Sequence, residues 1–221
     1  RTPDAHFMTE VRYKGAKVIS VATDYAENVK FADHWLAPHP GTDTAVAQAM
    51  THVILQEYYE NQPNDMFINY AKQYSDMPFV IMLDEDENGY KAGRFLRASD
   101  LGMSGENNEW KPVIQDKLSQ QLLVPNGTMG QRWEEGKKWN LKLETEDGTP
   151  IDPMLSMAES DYHVETIQFP YFDSSGDGIF ERPIATRTIQ LANGEEVKIA
   201  TVYDLMTSQY LSLIHISEPT R

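Results

Sequence analysis

The chain has 221 residues, enough for one large domain or two small ones with a real core, and 40% of them are hydrophobic against 24% charged, which excludes a disordered chain. A formal net charge of −15 repels phosphate backbones, so nucleic acid is excluded as a natural partner. With no cysteine there is neither a disulfide nor a thiolate metal site within these residues, and no apolar run is long enough to span a bilayer.

Taken in chain order, Pro3-Asp4-Ala5 opens a helix that runs to about Lys14. Proline suits a first helical turn and aspartate suits its positive dipole end. Gly15 is placed to stop it. Lys17 to Ala22 is short, β-branched and apolar, the pattern of a buried strand, and it ends in Thr23-Asp24-Tyr25. A short helical segment, 26–32, leads to a second strand, 33–37, closed by Pro38 and Pro40.

The stretch His39-Pro40-Gly41-Thr42-Asp43 then turns the chain into its clearest helix. There Ala45, Val46, Ala49, Met50, Val53, Ile54 and Tyr58 recur at spacings of mostly three and four, predicting one continuous core-facing stripe. A further helix is expected over 64–74 and a strand over 79–83. Alternating helices and strands make the first 105 residues an α/β portion with a mostly parallel, Rossmann-like sheet. Residues 106–210 read as an irregular, β-rich continuation, with hairpin signals at Asn126-Gly127, Asp147-Gly148 and, best, Asn193-Gly194.

Both ends look like the ends of a piece. The chain starts at Arg1 without a signal-peptide pattern, and LSLIHISEPTR, residues 211–221, resembles translated sequencing adaptor, so it is expected to add nothing to the fold.

Several patterns invite a site and have plain alternatives. A helix start at Asp4, a strand ending at Asp24 and a loop at Pro38–Asp43 follow the logic of a nucleotide half-site, because open α/β sheets bind ligands beyond the carboxyl ends of their strands. Asp24 and Asp43 also suit helix caps, and there is neither G-x-G-x-x-G nor a Walker A motif. Asp173, Ser175, Asp177 and Gly178 match the first half of a calcium loop, but Ile184 stands where the bidentate carboxylate belongs, so a solvated turn is the expectation. Asn126-Gly127-Thr128 fits a glycosylation pattern and reads as a turn. The six histidines form no metal-spaced pair, and His52 is expected to be a packed helix residue. No catalytic residue and no metal ligand is named by the residues alone.

The pieces RTPDAHF, GAKV, the A-D-x-W-L of Ala32–Leu36, PGTD and the A-x-A-M-x-H-V-I of Ala47–Ile54 together resemble the molybdopterin oxidoreductases. ATDYAE, the stretch from Asp76 to Gly102, VPNGTMGQRW, KWNL, FPYF and IATVYDL look, within that family, like the alpha subunits of membrane-bound respiratory nitrate reductases. The resemblance spans residues 1–210 and is tightest over the first hundred.

It implies a fragment of a nitrate-reducing catalytic subunit holding molybdenum bis(molybdopterin guanine dinucleotide), with a 4Fe-4S cluster elsewhere in the full chain. Carried over by position, Thr23, Asp24 and Tyr25 would meet the guanosine end of one pterin cofactor. Gly41, Thr42 and Asp43 would approach the guanine, and Thr2, Asp4 and His6 would lie by the pyrophosphate or pterin. The family's molybdenum-ligating Asp and its cluster ligands would fall upstream of Arg1, leaving the fragment inactive by itself. An iron–sulfur beta subunit and a membrane-anchoring cytochrome b gamma subunit are the implied partners. The implied location is the cytoplasmic face of the cell membrane, or the outer face in some archaeal relatives. A selenate- or chlorate-reducing or formate dehydrogenase-like relative, or a non-catalytic α/β binding module, stay open as alternatives.

Overall fold

The computed structural model describes residues 2–25, 28–127, 142–170 and 179–210. The calcium-like turn Asp173–Gly178, Thr128 of the glycosylation pattern and the adaptor-like residues 211–221 lie outside them. Two compact units emerge, residues 1–51 and 52–221.

In the first unit α1 (Thr2–Tyr13) leads to β1 (Ile19–Val21), a 3-10 turn (Val29–Phe31), β2 (His34–Leu36) and the start of α2 (Asp43–Leu55). Gly15, at φ 88, ends α1 in the left-handed conformation that a helix stop needs. Its N–H donates to the Arg12 carbonyl and that of Ala16 to Val11, which closes the last turn as a Schellman motif. β1 and β2 pair in parallel, Ile19 beside His34, Ser20 beside Trp35 and Val21 beside Leu36.

Two expectations need correction here. β1 is not buried: Ile19 is 61% and Val21 47% exposed, because no described residue of the unit covers that face. Nor does the predicted stripe of α2 face a core, since Met50, Val53, Ile54 and Tyr58 are exposed. The buried side chains of α2 are His52 and Leu55 instead. The helical period was right, but which face packs is set by the neighbours. His52 Nδ1 lies 2.8 Å from the Tyr210 carbonyl, and a carbonyl only accepts, so the proton sits on Nδ1.

In the second unit α2 gives way to a π-helical turn (Gln56–Asn61) and then α3 (Asp65–Tyr74). Asn64 caps α3 by accepting from the N–H groups of Met66 and Phe67. A closed barrel follows, built in the order β3 (Val80–Asp86), β4 (Gly89–Phe95), β7 (His163–Pro170), β8 (Ile179–Gln190) and β9 (Glu196–Thr201). β4 and β7 pair in parallel, and every other junction is antiparallel. Two short paired strands, β5 (Ile114–Gln115) and β6 (Leu122–Leu123), stand apart from it.

The mixed α/β class is realised, but the proportions of its sheets differ from expectation. Residues 79–83 feed β3, whose partners are antiparallel, so the parallel pairing of the first unit is confined to β1 and β2. Strands from both sides of the expected 105/106 boundary share one barrel, since β3 and β4 close only against β7 and β9. The hairpin at Asn193-Gly194 forms as expected, joining β8 to β9 with Gln190 opposite Glu196. Asp147-Gly148 also turns tightly, the Thr145 N–H donating to Thr149.

Alternation along the strands feeds two apolar clusters. Ile81, Leu83, Ile167, Phe169, Phe180, Ile184 and Ala200 form one with Leu205 of α4 (Val202–Tyr210). Val80, Leu96, Val113, Met157 and Ile199 form the other. At Gly93 a Cβ would meet the Asp84 carboxylate and the Met82 carbonyl at 2.8 Å, where the β3–β4 register shifts, so only glycine lets the strands close. Thr201 and Asp204 then start α4 as a reciprocal cap. Asp204 accepts from the Thr201 hydroxyl at 2.9 Å and from the Met157 N–H at 2.8 Å, and its own N–H donates back to Thr201.

Candidate functional site

The pairing of Val21 with Leu36 decides which loops are neighbours. Both strands run the same way, so the turn 22–25 and the loop 37–43 leave the sheet at one carboxyl edge. Thr23, Asp24 and Tyr25 lie on the first, all exposed. Gly41, Thr42 and Asp43 lie on the second, also exposed. The six residues are thereby brought to one edge of the same small sheet.

The second loop is a Pro-Gly turn. The Thr42 N–H donates to the His39 carbonyl at 3.1 Å, and Gly41 has φ 84, the combination of a type II turn with proline at its second position. A Cβ on Gly41 would meet nothing within 4 Å, so backbone conformation, not crowding, demands glycine. The open space beside it remains available to a ligand. Thr42 precedes α2, yet its hydroxyl donates back to the His39 carbonyl at 2.7 Å, tightening the turn. Asp43 is the first residue of α2, where a negative charge suits the helix dipole.

Asp24 and Asp43 share one more property. Among the described residues, no hydrogen bond or ion pair engages either carboxylate, so all of their acceptor capacity faces outward. Asp33, at the other end of β2, is the contrast. Its carboxylate takes the Val18 N–H at 2.8 Å and Arg12 Nη2 at 2.7 Å. The Val18 N–H first, and the Arg12 guanidinium second, hold its carboxyl below the usual aspartate value. Asp33 is therefore a fastener, and Asp24 and Asp43 are left unpaired.

Thr2, Asp4 and His6 occupy the first two turns of α1, with Asp4 and His6 exposed. The end of α1 that is tied to the sheet is the other one, through Arg12 and Asp33. Sequence reasoning passed over Trp35, which borders the site: its indole N–H donates to the Ala22 carbonyl at 2.9 Å. Only the strand register reveals it, since Trp35 sits opposite Ser20, one step before the turn.

A second concavity, of about 650 Å³, lies on the barrel between Asp84, Arg94, Asp100, Glu195 and Lys198. Both of its cations are committed: Arg94 grips Asp100 with two bonds of 2.7 Å, and Lys198 pairs with Glu165. That pairing holds the Asp100 carboxyl low and the Arg94 guanidinium high. With its positive groups paired to carboxylates, this cleft offers no free cation among its described residues, whereas the carboxyl edge of β1 and β2 offers two unpaired acceptors.

Comparison with known proteins places the whole chain in a family. The family model for molybdopterin oxidoreductases matches residues 1–196. The chain belongs to the molybdopterin oxidoreductases. The nitrate reductase alpha chain of Bacillus subtilis is 48% identical over 211 residues, covering 95% of this chain and 17% of that protein. The respiratory nitrate reductase 1 alpha chain of Escherichia coli is 42% identical over 95% of this chain and 18% of its own length. The perchlorate reductase alpha subunit of Dechloromonas aromatica is more distant, at 24% over 96% of this chain and 19% of its own. The chain thus spans less than a fifth of the length of each of these three relatives.

Family membership implies a molybdenum–molybdopterin cofactor. Two uncommitted carboxylates can accept from the N–H edge of a heterocycle, and an open left-handed glycine admits it to the backbone.

Proposed function

We propose that these residues are part of the catalytic subunit of a respiratory nitrate reductase. One observation carries this reading: 48% and 42% identity to nitrate reductase alpha chains across 95% of the chain, against 24% to a perchlorate reductase subunit. When bound, the molybdenum cofactor supplies the two-electron reduction of nitrate to nitrite.

The role of this chain is to hold the guanosine end of one molybdopterin guanine dinucleotide. Asp43 accepts from the guanine N1–H and exocyclic amine, a two-point match that adenine cannot make. Asp24 takes the position from which dinucleotide folds read ribose hydroxyls, flanked by Thr23 and Tyr25. Gly41 and Thr42 shape the turn that lets the base approach. Thr2, Asp4 and His6 attend the pyrophosphate or pterin. A 4Fe-4S cluster in the complete chain, an iron–sulfur beta subunit, a cytochrome b gamma subunit and a place on the cytoplasmic face of the membrane complete the reading. Among the described residues no helix is long and apolar enough to cross a bilayer. Attachment through partners is consistent with this.

The test is Asp43→Ala in the complete polypeptide that carries this sequence. It removes charge-assisted hydrogen bonds worth about 1.5–3 kcal/mol, so affinity for the guanine end drops about ten- to hundred-fold. Guanine nucleotide released per purified chain should fall accordingly, and unchanged content refutes the role. Nitrate should oxidise a reduced dye in the presence of the wild-type complex far better than perchlorate, chlorate or selenate does. A complete protein without molybdenum by elemental analysis ends the enzyme reading and leaves the non-catalytic module.

A further inference from the structure

β2 is only three residues long, yet Asp33 just before it and Trp35 at its centre reach across to the residues that flank β1. At the amino end Asp33 takes the Val18 N–H and Arg12. From the centre Trp35 donates its indole N–H to the Ala22 carbonyl at 2.9 Å, while the Ala22 N–H donates to the Leu36 carbonyl at 3.1 Å. Both backbone groups of Ala22 are therefore held by β2, and the turn beginning at Thr23 starts from a fixed point. Trp35 also meets the far end of that turn, its ring lying edge-on to Tyr25 with centroids 5.5 Å apart at 75°. One side chain thus touches the turn before and after Asp24. Trp35 is 42% exposed, so apolar burial alone does not explain a tryptophan at this position.

We propose that Trp35 is a positioning residue that fixes the Thr23–Tyr25 turn and so aims the Asp24 carboxylate at the ribose of a bound guanine nucleotide. This rests on the nucleotide reading of the two loops. Trp35 acts through Ala22 and Tyr25 and does not itself read the base. Its contribution is therefore the same for any nucleotide seated at the edge, whereas that of Asp43 depends on the base.

The experiment uses the complete polypeptide purified without cofactor and titrated with GDP and, separately, ADP. Trp35→Phe keeps a ring against Tyr25 and removes the N–H donor. It should weaken GDP and ADP alike by about five-fold, the worth of one neutral hydrogen bond, at an unchanged melting temperature. Trp35→Leu, which also loses the ring contact, should weaken both further. Asp43→Ala should weaken GDP and leave ADP as it was. Wild-type GDP affinity in Trp35→Phe, with Asp43→Ala still impaired, overturns the role of Trp35 and leaves the nucleotide site standing. Affinity losses that track falls in melting temperature across the two Trp35 variants make Trp35 a structural residue only. If the wild-type chain binds no GDP, or Asp43→Ala binds it unchanged, the site and the positioning role fall together.

Discussion

The two compact units use the same local devices and reach very different degrees of burial. In 52–221, Val80, Leu96, Val113, Ile114, Met154, Met157, Ile167 and Ile199 are all closed to solvent. In 1–51, Val29 is the only buried residue among those described, while Phe7, Tyr13, Ile19, Val21 and Leu36 stand exposed. A barrel gives every strand two neighbours and an enclosed side. A parallel pair has two open faces, and parallel sheets elsewhere are covered on both. Well-formed caps and turns make elements, then, but do not by themselves bury them. In the first unit, polar links at the ends of β2 do the fastening that packing does in the barrel.

The sharpest way to break this contrast is a matched pair of truncations. Ile167→Ala opens a cavity at a fully buried barrel position and should cost about 3 kcal/mol, read from hydrogen exchange of β7 and β8 amides in the complete chain. Val29→Ala, in the thinner unit, should cost about 1 kcal/mol. Equal losses would show that the two units are packed alike.

Asp204 tests a polar link inside the packed unit. Asp204→Ala leaves the Met157 N–H and the Thr201 hydroxyl without their acceptor and should cost about 2 kcal/mol in mildly acidic buffer. Burial, the largest influence, pushes the Asp204 carboxyl above its usual value, and its hydrogen bonds only partly oppose this. The native state therefore binds this proton more tightly than the unfolded chain does. The stability it confers is full below the ordinary aspartate value and is lost as pH rises through the raised one. Asp204→Asn, which keeps an accepting oxygen, should flatten that slope in a series of denaturant melts.

The smallest effect is expected at Asp33, where the sign reverses. Its carboxyl is held low by the Val18 N–H and Arg12, so its contribution is present above the ordinary aspartate value and lost as pH falls through the lowered one. Acid should loosen the α1–β1 junction and speed proteolysis around residues 15–18. Asp33→Asn should be cleaved there at a rate that no longer depends on acid. Identical acid sensitivity in both proteins would mean that this link does not hold the junction.

Much of the local structure was legible because its causes are local. Gly15 stops α1, Pro40-Gly41 turns the chain into α2, Asn64 starts α3 and Asn193-Gly194 joins β8 to β9, each through backbone geometry a few residues long. The candidate loops were legible for the same reason, as a turn and a strand end in a family pattern. The contacts of Trp35 with Ala22 and Tyr25 were not, because they depend on its lying opposite Ser20 in another strand. The barrel was not, because β3 meets β9 across more than a hundred residues, and nothing within 79–83 specifies the direction of its partners.

The amino-acid sequence by itself determined where α1, α2 and α3 begin, the turn that joins β8 to β9, the class of the fold and the family to which it belongs. Those follow from periodicity, caps and turn residues, which act over a few ångströms. Which face of α2 is buried, which strands close the barrel and which loops share an edge with Asp24 and Asp43 were decided only by tertiary structure. Burial and register are properties of pairs of elements, and a single segment carries only half of each pair.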